Sequence, residues 1–354
     1  MKASILQLFP IERRAFWKDT ADMQEEIQEI RLRCNQPIVV LADGKEHFLD
    51  CDGFWVDNPE RAYSAKDFEM EAILNHICHY SMYAFEDELR QGFITVPGGH
   101  RVGVAGQVVL NENGSVRTIK NISCINIRIA HQIRGAADKV LPFIYEKGEP
   151  KNTLIISPPG CGKTTLLRDM IRQLSDGNRY GKGLCVGVVD ERSELAGSYQ
   201  GVPQNDLGMR TDVLDACPKV LGMMILLRSM SPRVVAIDEL GGEEDMHALQ
   251  MAASCGTKIV ATVHGADIRD VIRRFGVRGE QLVQLFDCYL ILGRENGKPV
   301  VKNVMGKEET YAALCRGNHD CSGMLRIGNV VSESVYPSAT DFTRAFEYSG
   351  NADG

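Results

Sequence analysis

An α/β domain with a mainly parallel sheet, preceded by a smaller α+β domain, is the fold the sequence predicts, and three observations predict it. From about residue 150 onward, short β-branched and nearly continuous apolar runs alternate with amphipathic segments of helical length, as strands covered on both faces of a parallel sheet require. Residues 26–135 have a different texture, in which strand-like runs and tight turns surround a single helical segment. A length of 354 residues with 44% hydrophobic and 25% charged residues suits two domains, or one large domain with appendages.

Taken in order, residues 1–135 form the first domain. Ile30 and Val39 lie in apolar runs on either side of Cys34-Asn35-Gln36, a strand-turn-strand signature, and residues 65–80 place Phe68, Ile73, Ile77 and Tyr80 near one helical face. Strand-like runs then follow around the turns Gly98-Gly99 and Asn113-Gly114. In the last of them Ile125, Ile127 and Ile129 alternate with Asn126 and Arg128, so the isoleucines face a core and Arg128 faces away, as Arg101 does beside Val102 and Val104. Residues 136–150 read as a linker. The second domain, 151–305, carries apolar runs at 152–157, 183–191, 233–240, 258–264 and 288–293, with helices between them. Periodicity fades after 305, which predicts a poorly ordered tail over 306–354.

Composition narrows the function classes. A net charge of −7 supplies no global field for nucleic acid, which would need a local basic patch. Eleven scattered cysteines without a C-x-x-C pair argue against a disulfide framework or a zinc ribbon and for a reducing cytosol. Cys315, His319 and Cys321 lack a fourth ligand and read as chance neighbours in a polar tail. The first twenty residues acquire charge and proline too early for a signal peptide, and no run of 18 apolar residues occurs, so a cytoplasmic chain that meets membranes only through partners is expected.

The chemistry centres on Ser157-Pro158-Pro159-Gly160-Cys161-Gly162-Lys163-Thr164-Thr165, which departs from G-x-x-x-x-G-K-[ST] only in its first residue. A strand runs into this loop and an amphipathic helix leaves it. Backbone N–H groups of Pro159 to Thr165, proline excepted, can hold phosphate oxygens, Lys163 can reach the outer phosphates, and the Thr164 hydroxyl can bind Mg²⁺. Ser157 and the two prolines bend the chain without blocking that cradle. Asp238-Glu239 ends another apolar strand, at the edge where such sheets bind ligands, so Asp238 suits Mg²⁺ and Glu239 suits the attacking water. The pair would otherwise cap a helix. Asp190-Glu191 ends a second strand at the same edge, and His264 a third, where the imidazole either senses the terminal phosphate or is structural. Spacing leaves Arg101, Arg128, Arg210 and Arg228 all open as the arginine that neutralises transition-state charge.

These linked motifs, with residues 201–215 and 226–245 between them, resemble the stage III sporulation protein AA family, a branch of the type II/type IV secretion ATPases in endospore-forming bacteria. The resemblance spans about residues 20–300. It implies a RecA-like ATPase core, ATP and Mg²⁺ as cofactors, and a homo-hexameric ring with nucleotide between subunits. It also implies an Asp box at Asp190-Glu191, a Walker B region at Asp238-Glu239 and a His box at His264. Arginines of the N-terminal domain reach the nucleotide in such ATPases, which singles out Arg101 and Arg128. The implied activity is ATP hydrolysis that powers a trans-envelope channel between mother cell and forespore, from the mother-cell cytoplasm and through membrane-embedded channel proteins. One departure is Asp238, where typical secretion ATPases carry glycine; it leaves the division of labour between Glu191 and Glu239 open. Two other functions stay in view: a nucleic-acid-dependent RecA-like ATPase using Arg269, Arg273, Arg274 and Arg278, which otherwise form a solvated or subunit-interface face, and a nucleotide-gated assembly scaffold.

Overall fold

Strands and turns in the first third of the chain close into a seven-stranded antiparallel sheet. The computed structural model describes residues 4–81, 85–241 and 243–315. Two units separate: one holds the chain up to Gln132 together with Gly197–Asn205, the other Ile133–Ala196 and the chain from Asp206 onward.

The first unit contains α1 (Lys18–Asp22), β1 (Ile27–Arg33), β2 (Val39–Ala42), β3 (Lys45–Leu49), β4 (Trp55–Val56), α2 (Asp67–Ile77), α3 (Glu86–Gln91), β5 (Phe93–Val96), β6 (His100–Leu110) and β7 (Val116–Arg128). Its strand order is β4-β3-β2-β1-β7-β6-β5. Asn35 turns β1 toward β2 with a φ of 55°, a conformation that asparagine tolerates better than most residues. Ile125 and Ile127 are buried and Arg128 is exposed, as alternation requires. The helix departs from expectation. Met70, Ile73, Leu74 and Ile77 form the buried face of α2, at spacings i, i+3, i+4 and i+7, whereas Phe68 and Tyr80 are 68% and 80% exposed. Phe68 lies two residues, about 200° of turn, from Met70. Tyr80 lies past the helix end with a φ of 59°.

The second unit begins with α4 (Leu141–Ile144) and the two-residue strands β8 (Tyr145–Glu146) and β9 (Glu149–Pro150). These lie within the expected linker, yet Ala137, Val140, Leu141 and Ile144 are buried in this unit's core. Then follow β10 (Thr153–Ser157), α5 (Lys163–Asp176), the short β11 (Gly177–Asn178) and β12 (Gly181–Lys182), β13 (Val186–Asp190), β14 (Thr211–Asp215), α6 (Lys219–Ser229) and β15 (Val234–Leu240). The unit continues with α7 (Glu243–Ser254), β16 (Lys258–His264), α8 (Ile268–Phe275), α9 (Gly279–Gln284), β17 (Cys288–Glu295), β18 (Lys298–Gly306) and α10 (Lys307–Cys315). The sheet runs β14-β13-β15-β16-β10-β17-β18 and is parallel except for the last pair, so the mainly parallel α/β fold is present.

Continuous apolar runs follow from burial on both faces. Ile155, Val188, Ala236 and Leu290 pack on one side, and Leu154, Ile156, Val235, Ala261 and Leu249 on the other. Parallel pairing brings the carboxyl ends of β10, β13, β15 and β16 to one edge. Residues 307–315 of the expected tail are helical, and the remainder, with His319 and Cys321, lies outside the described residues. Among the described residues no helix is long and apolar enough to cross a membrane.

Ile127 is fully buried in the first unit's core. Replacing it by alanine should lower that unit's stability by about 2–5 kcal/mol, read in urea as an earlier transition of the antiparallel unit with the second unit's transition unmoved.

Candidate functional site

The phosphate loop leaves β10 at Ser157, whose hydroxyl is buried and donates to the Pro158 carbonyl at 2.7 Å. Serine at the first motif position is therefore turned into the chain and not toward a ligand. Gly160 and Gly162 have φ values of 70° and 79°, the left-handed region that a β-carbon disfavours. Gly162 starts α5 with no side-chain cap, so the first N–H groups of a 14-residue helix are available to an anion. Leu166, Leu167, Met170, Ile171 and Leu174 anchor that helix to the sheet.

Lys163 is buried, with its Nζ 3.3 Å from His264 Nε2. Thr164 donates to Asp238 Oδ2 at 3.0 Å, and Thr262 donates to Asp238 Oδ1 at 2.5 Å. Glu239 Oε1 stands 3.0 Å from His264 Nε2, and its Oε2 accepts from Arg192 Nη1 at 2.5 Å. Lys163, Thr164, Asp238, Glu239 and His264 thus come together at one edge.

Neighbours on a regular strand point to opposite faces, so Asp238 and Glu239 could not both serve this edge. The β15–β16 ladder shifts register between Ile237 and Leu240, and Glu239 adopts a φ of 61°. That bulge turns both carboxylates into the site. It also takes the Glu239 N–H out of the ladder, and the Thr262 hydroxyl accepts it at 2.7 Å. One threonine oxygen therefore holds the Glu239 backbone and donates to the Asp238 carboxylate. Sequence reasoning missed Thr262, although a polar residue two before His264 on an apolar strand shares its face and signals the role.

The second acidic pair divides its labour. Asp190 is buried and accepts the N–H groups of Glu194 (2.8 Å) and Ala196 (2.8 Å). Its carboxylate is engaged in holding the loop after β13. Burial pushes its pKa up, against the pull of the backbone N–H groups. Arg168 of α5 ties down the same loop through the carbonyls of Leu195 (2.9 Å) and Glu194 (2.6 Å). Burial lowers its pKa while Asp190 and Asp238 raise it. Glu191 pairs with Lys219 at 2.8 Å, and a cleft lined by Glu191, Arg192, Lys219, Asp238 and Glu239 opens beside it.

Arg192 was visible only as the residue after Asp190-Glu191; its bond to Glu239 spans 47 positions. Arg101 and Arg128 belong to the first unit, directly opposite one another on β6 and β7. Arg210 donates to the Ser175 carbonyl at 3.0 Å, a structural contact within the second unit.

Loop, strand ends and helix together define a phosphate-loop protein with the RecA-like fold seen in secretion ATPases. The chain belongs to the family described as Sporulation stage III, protein AA, which matches residues 1–310. It is 41% identical over 296 residues to "Stage III sporulation protein AA" of Bacillus subtilis (strain 168), covering 84% of this chain and 92% of that one. Among solved structures, the Legionella pneumophila ATPase DotB is similar with a TM-score of 0.56 at 17% identity, over 88% of this chain and 85% of that one. The pilus retraction motor PilT, solved with bound ADP, is similar with a TM-score of 0.57 at 16% identity, over 85% and 89%. At such identities the likeness establishes the fold.

Thr262→Val should cost about 1–3 kcal/mol by stranding the Glu239 N–H and the Asp238 carboxylate, and Thr262→Ser should recover most of it, both read by denaturant unfolding. A raised native pKa at Asp190 makes its contribution to stability full below the unfolded-state pKa and lost as pH rises through the native one. Asp190→Asn should therefore remove that stretch of the pH–stability curve; an unchanged curve would assign it to another group.

Proposed function

We propose that this protein is a Mg²⁺-dependent ATPase, a secretion-type motor that works as a homo-hexameric ring. It powers transport through a trans-envelope channel between mother cell and forespore, docking from the mother-cell cytoplasm on membrane-embedded channel proteins. The observation that carries the reading is the break in β15, which aims a metal-binding carboxylate and a proton-accepting one at the same phosphate loop. Family membership and the fold of the secretion ATPases support the wider role.

The residues fit the ligands. Two left-handed glycines shape a cradle of backbone N–H groups, and the Thr164 hydroxyl beside the Asp238 carboxylate is the hard oxygen set that Mg²⁺ prefers. Bound MgATP supplies the phosphoanhydride bond and a cation that offsets its charge. Pro159, Gly160, Cys161, Gly162, Lys163, Thr164 and Thr165 wrap the phosphates, with Lys163 neutralising the outer ones. Glu239 Oε1 accepts the proton of the attacking water, and His264 Nε2, within reach of both Glu239 and Lys163, keeps that carboxylate oriented toward the loop. Asp190 is a positioning residue through its loop. Glu191, bonded to Lys219, is the reserve base. Arg101 and Arg128 act on the nucleotide of a neighbouring subunit.

A nucleic-acid motor would use the arginine run of α8. Two of those side chains are already tied to backbone, Arg269 to the Ala313 carbonyl (2.9 Å) and Arg274 to that of His264 (3.3 Å), which supports a structural reading of the run.

Glu239→Gln should keep ATP binding and lower turnover by ~10²-fold or more, as loss of general-base help does; full turnover would move the base to Glu191, and absent turnover in the wild type at every nucleotide concentration would favour the scaffold. Arg101→Ala and Arg128→Ala should each lower turnover by up to ~10³-fold, with partial recovery in rings mixed with Glu239→Gln subunits. Full activity in both would remove the trans-arginine role.

A further inference from the structure

The β17–β18 hairpin lies outside every motif of the phosphate site, yet it closes on the loop from behind. Arg294 donates to the Gly160 carbonyl from Nη2 at 2.7 Å and from Nε at 3.3 Å, across 134 positions of sequence. Arg294 is paired across the hairpin with Pro299, and Pro299 covers the second glycine of the loop. A β-carbon at Gly162 would lie 3.1 Å from Pro299 Cβ, and one at Gly160 would lie 3.1 Å from Arg294 Nη2. One cross-strand pair therefore sits on both left-handed glycines.

The chemistry of the loop explains the contact. A turn whose N–H groups converge on an anion leaves carbonyls directed outward, and each needs a donor. Arg294 meets one of them with two N–H groups of a fixed fork, which sets the tilt of the peptide as well as its position. The hairpin is suited to hold that fork still: Asn296 and Gly297 have φ values of 50° and 78°, as a tight two-residue turn demands, and Glu295 pairs with Lys298 beside it. The guanidinium also adds positive charge next to an anion cradle that has Lys163 alone as its built-in cation on the loop.

The geometry points to Arg294 as a positioning residue that holds the phosphate loop in its binding form, with Pro299 as its packing partner. This inference rests on the reading of the loop as a nucleotide site. Arg294 touches no reacting atom, so its loss acts on affinity and leaves chemistry in place. Arg294 is exposed, and replacing it empties no core space.

The test measures Kd for a methylanthraniloyl-labelled ATP with Mg²⁺, on the full chain, for wild type, Arg294→Met, Arg294→Gln and Arg294→Lys. Methionine keeps the aliphatic stem and removes the donors; it should raise Kd by about fivefold, the loss expected for roughly 1 kcal/mol of hydrogen bonding. The KM for ATP should rise in step while kcat stays within about twofold, and lysine, with one compact donor head, should recover part of the affinity. Glutamine is read in parallel, so a single poorly folded variant cannot decide the outcome. If wild type binds the analogue and both Met and Gln variants match its Kd, the brace is overturned. If wild type does not bind the analogue, the nucleotide reading fails and the brace falls with it.

Discussion

A strand carrying two acidic residues in succession presents only one of them to a given face, and the site depends on how β15 escapes that rule. Glu239 takes a left-handed backbone conformation that costs a non-glycine residue about 1–3 kcal/mol, and it persists only where its surroundings hold it. Thr262 supplies that hold from the adjacent strand, and the same hydroxyl aligns Asp238 toward Thr164. The phosphate loop, the Asp238 carboxylate and the Glu239 backbone are thus coupled through one buried oxygen. Moving any of them by the width of a pleat would return Glu239 to the wrong face.

Around that break Lys163, His264, Glu239 and Arg192 follow one another at 3.3, 3.0 and 2.5 Å. His264 Nε2 faces an ammonium on one side and a carboxylate on the other. Its Nδ1 lies 3.4 Å from the Ser157 carbonyl, an acceptor that suits an N–H on that nitrogen. The imidazole therefore bridges the Glu239 carboxylate and the loop lysine. On the far side, Arg192 reaches Glu239 from a loop held at Glu194 and Ala196 by Asp190 and Arg168, so the buried Asp190 serves the half-buried Glu239 without touching it.

Much of this was legible in the sequence, for identifiable reasons. The strands covered on both faces, such as 153–157 and 258–264, announce themselves as apolar runs, and Lys163, Thr164, Asp238, Glu239 and His264 sit at their ends. The sheet's two outermost strands did not. Thr211–Asp215 is half-buried along its whole length, and Lys298–Gly306 mixes lysines with valines, so neither gives a strong apolar signal. Asp190 ends a strand, and the loop turning back over it provides its partners, which its place in the sequence does not reveal. Arg192 and Arg294 acquire meaning only through contacts 47 and 134 residues distant, which no local pattern encodes.

The first unit raises a complementary question about charge. Arg101 and Arg128 stand opposite one another in an antiparallel ladder, where like charges repel. Arg101 is held over the Phe93 ring, 4.5 Å from its centre. Arg128 faces Glu29 across β1, but that carboxylate is already engaged by Arg31 at 2.5 Å, which leaves Arg128 Nε 3.7 Å from the other oxygen. Arg128 is also 62% exposed at the side chain. An arginine that shares its carboxylate and lies mostly in water gains little from that pair. Of the two, Arg128 is the more loosely held, while Arg101 is fixed on its aromatic face.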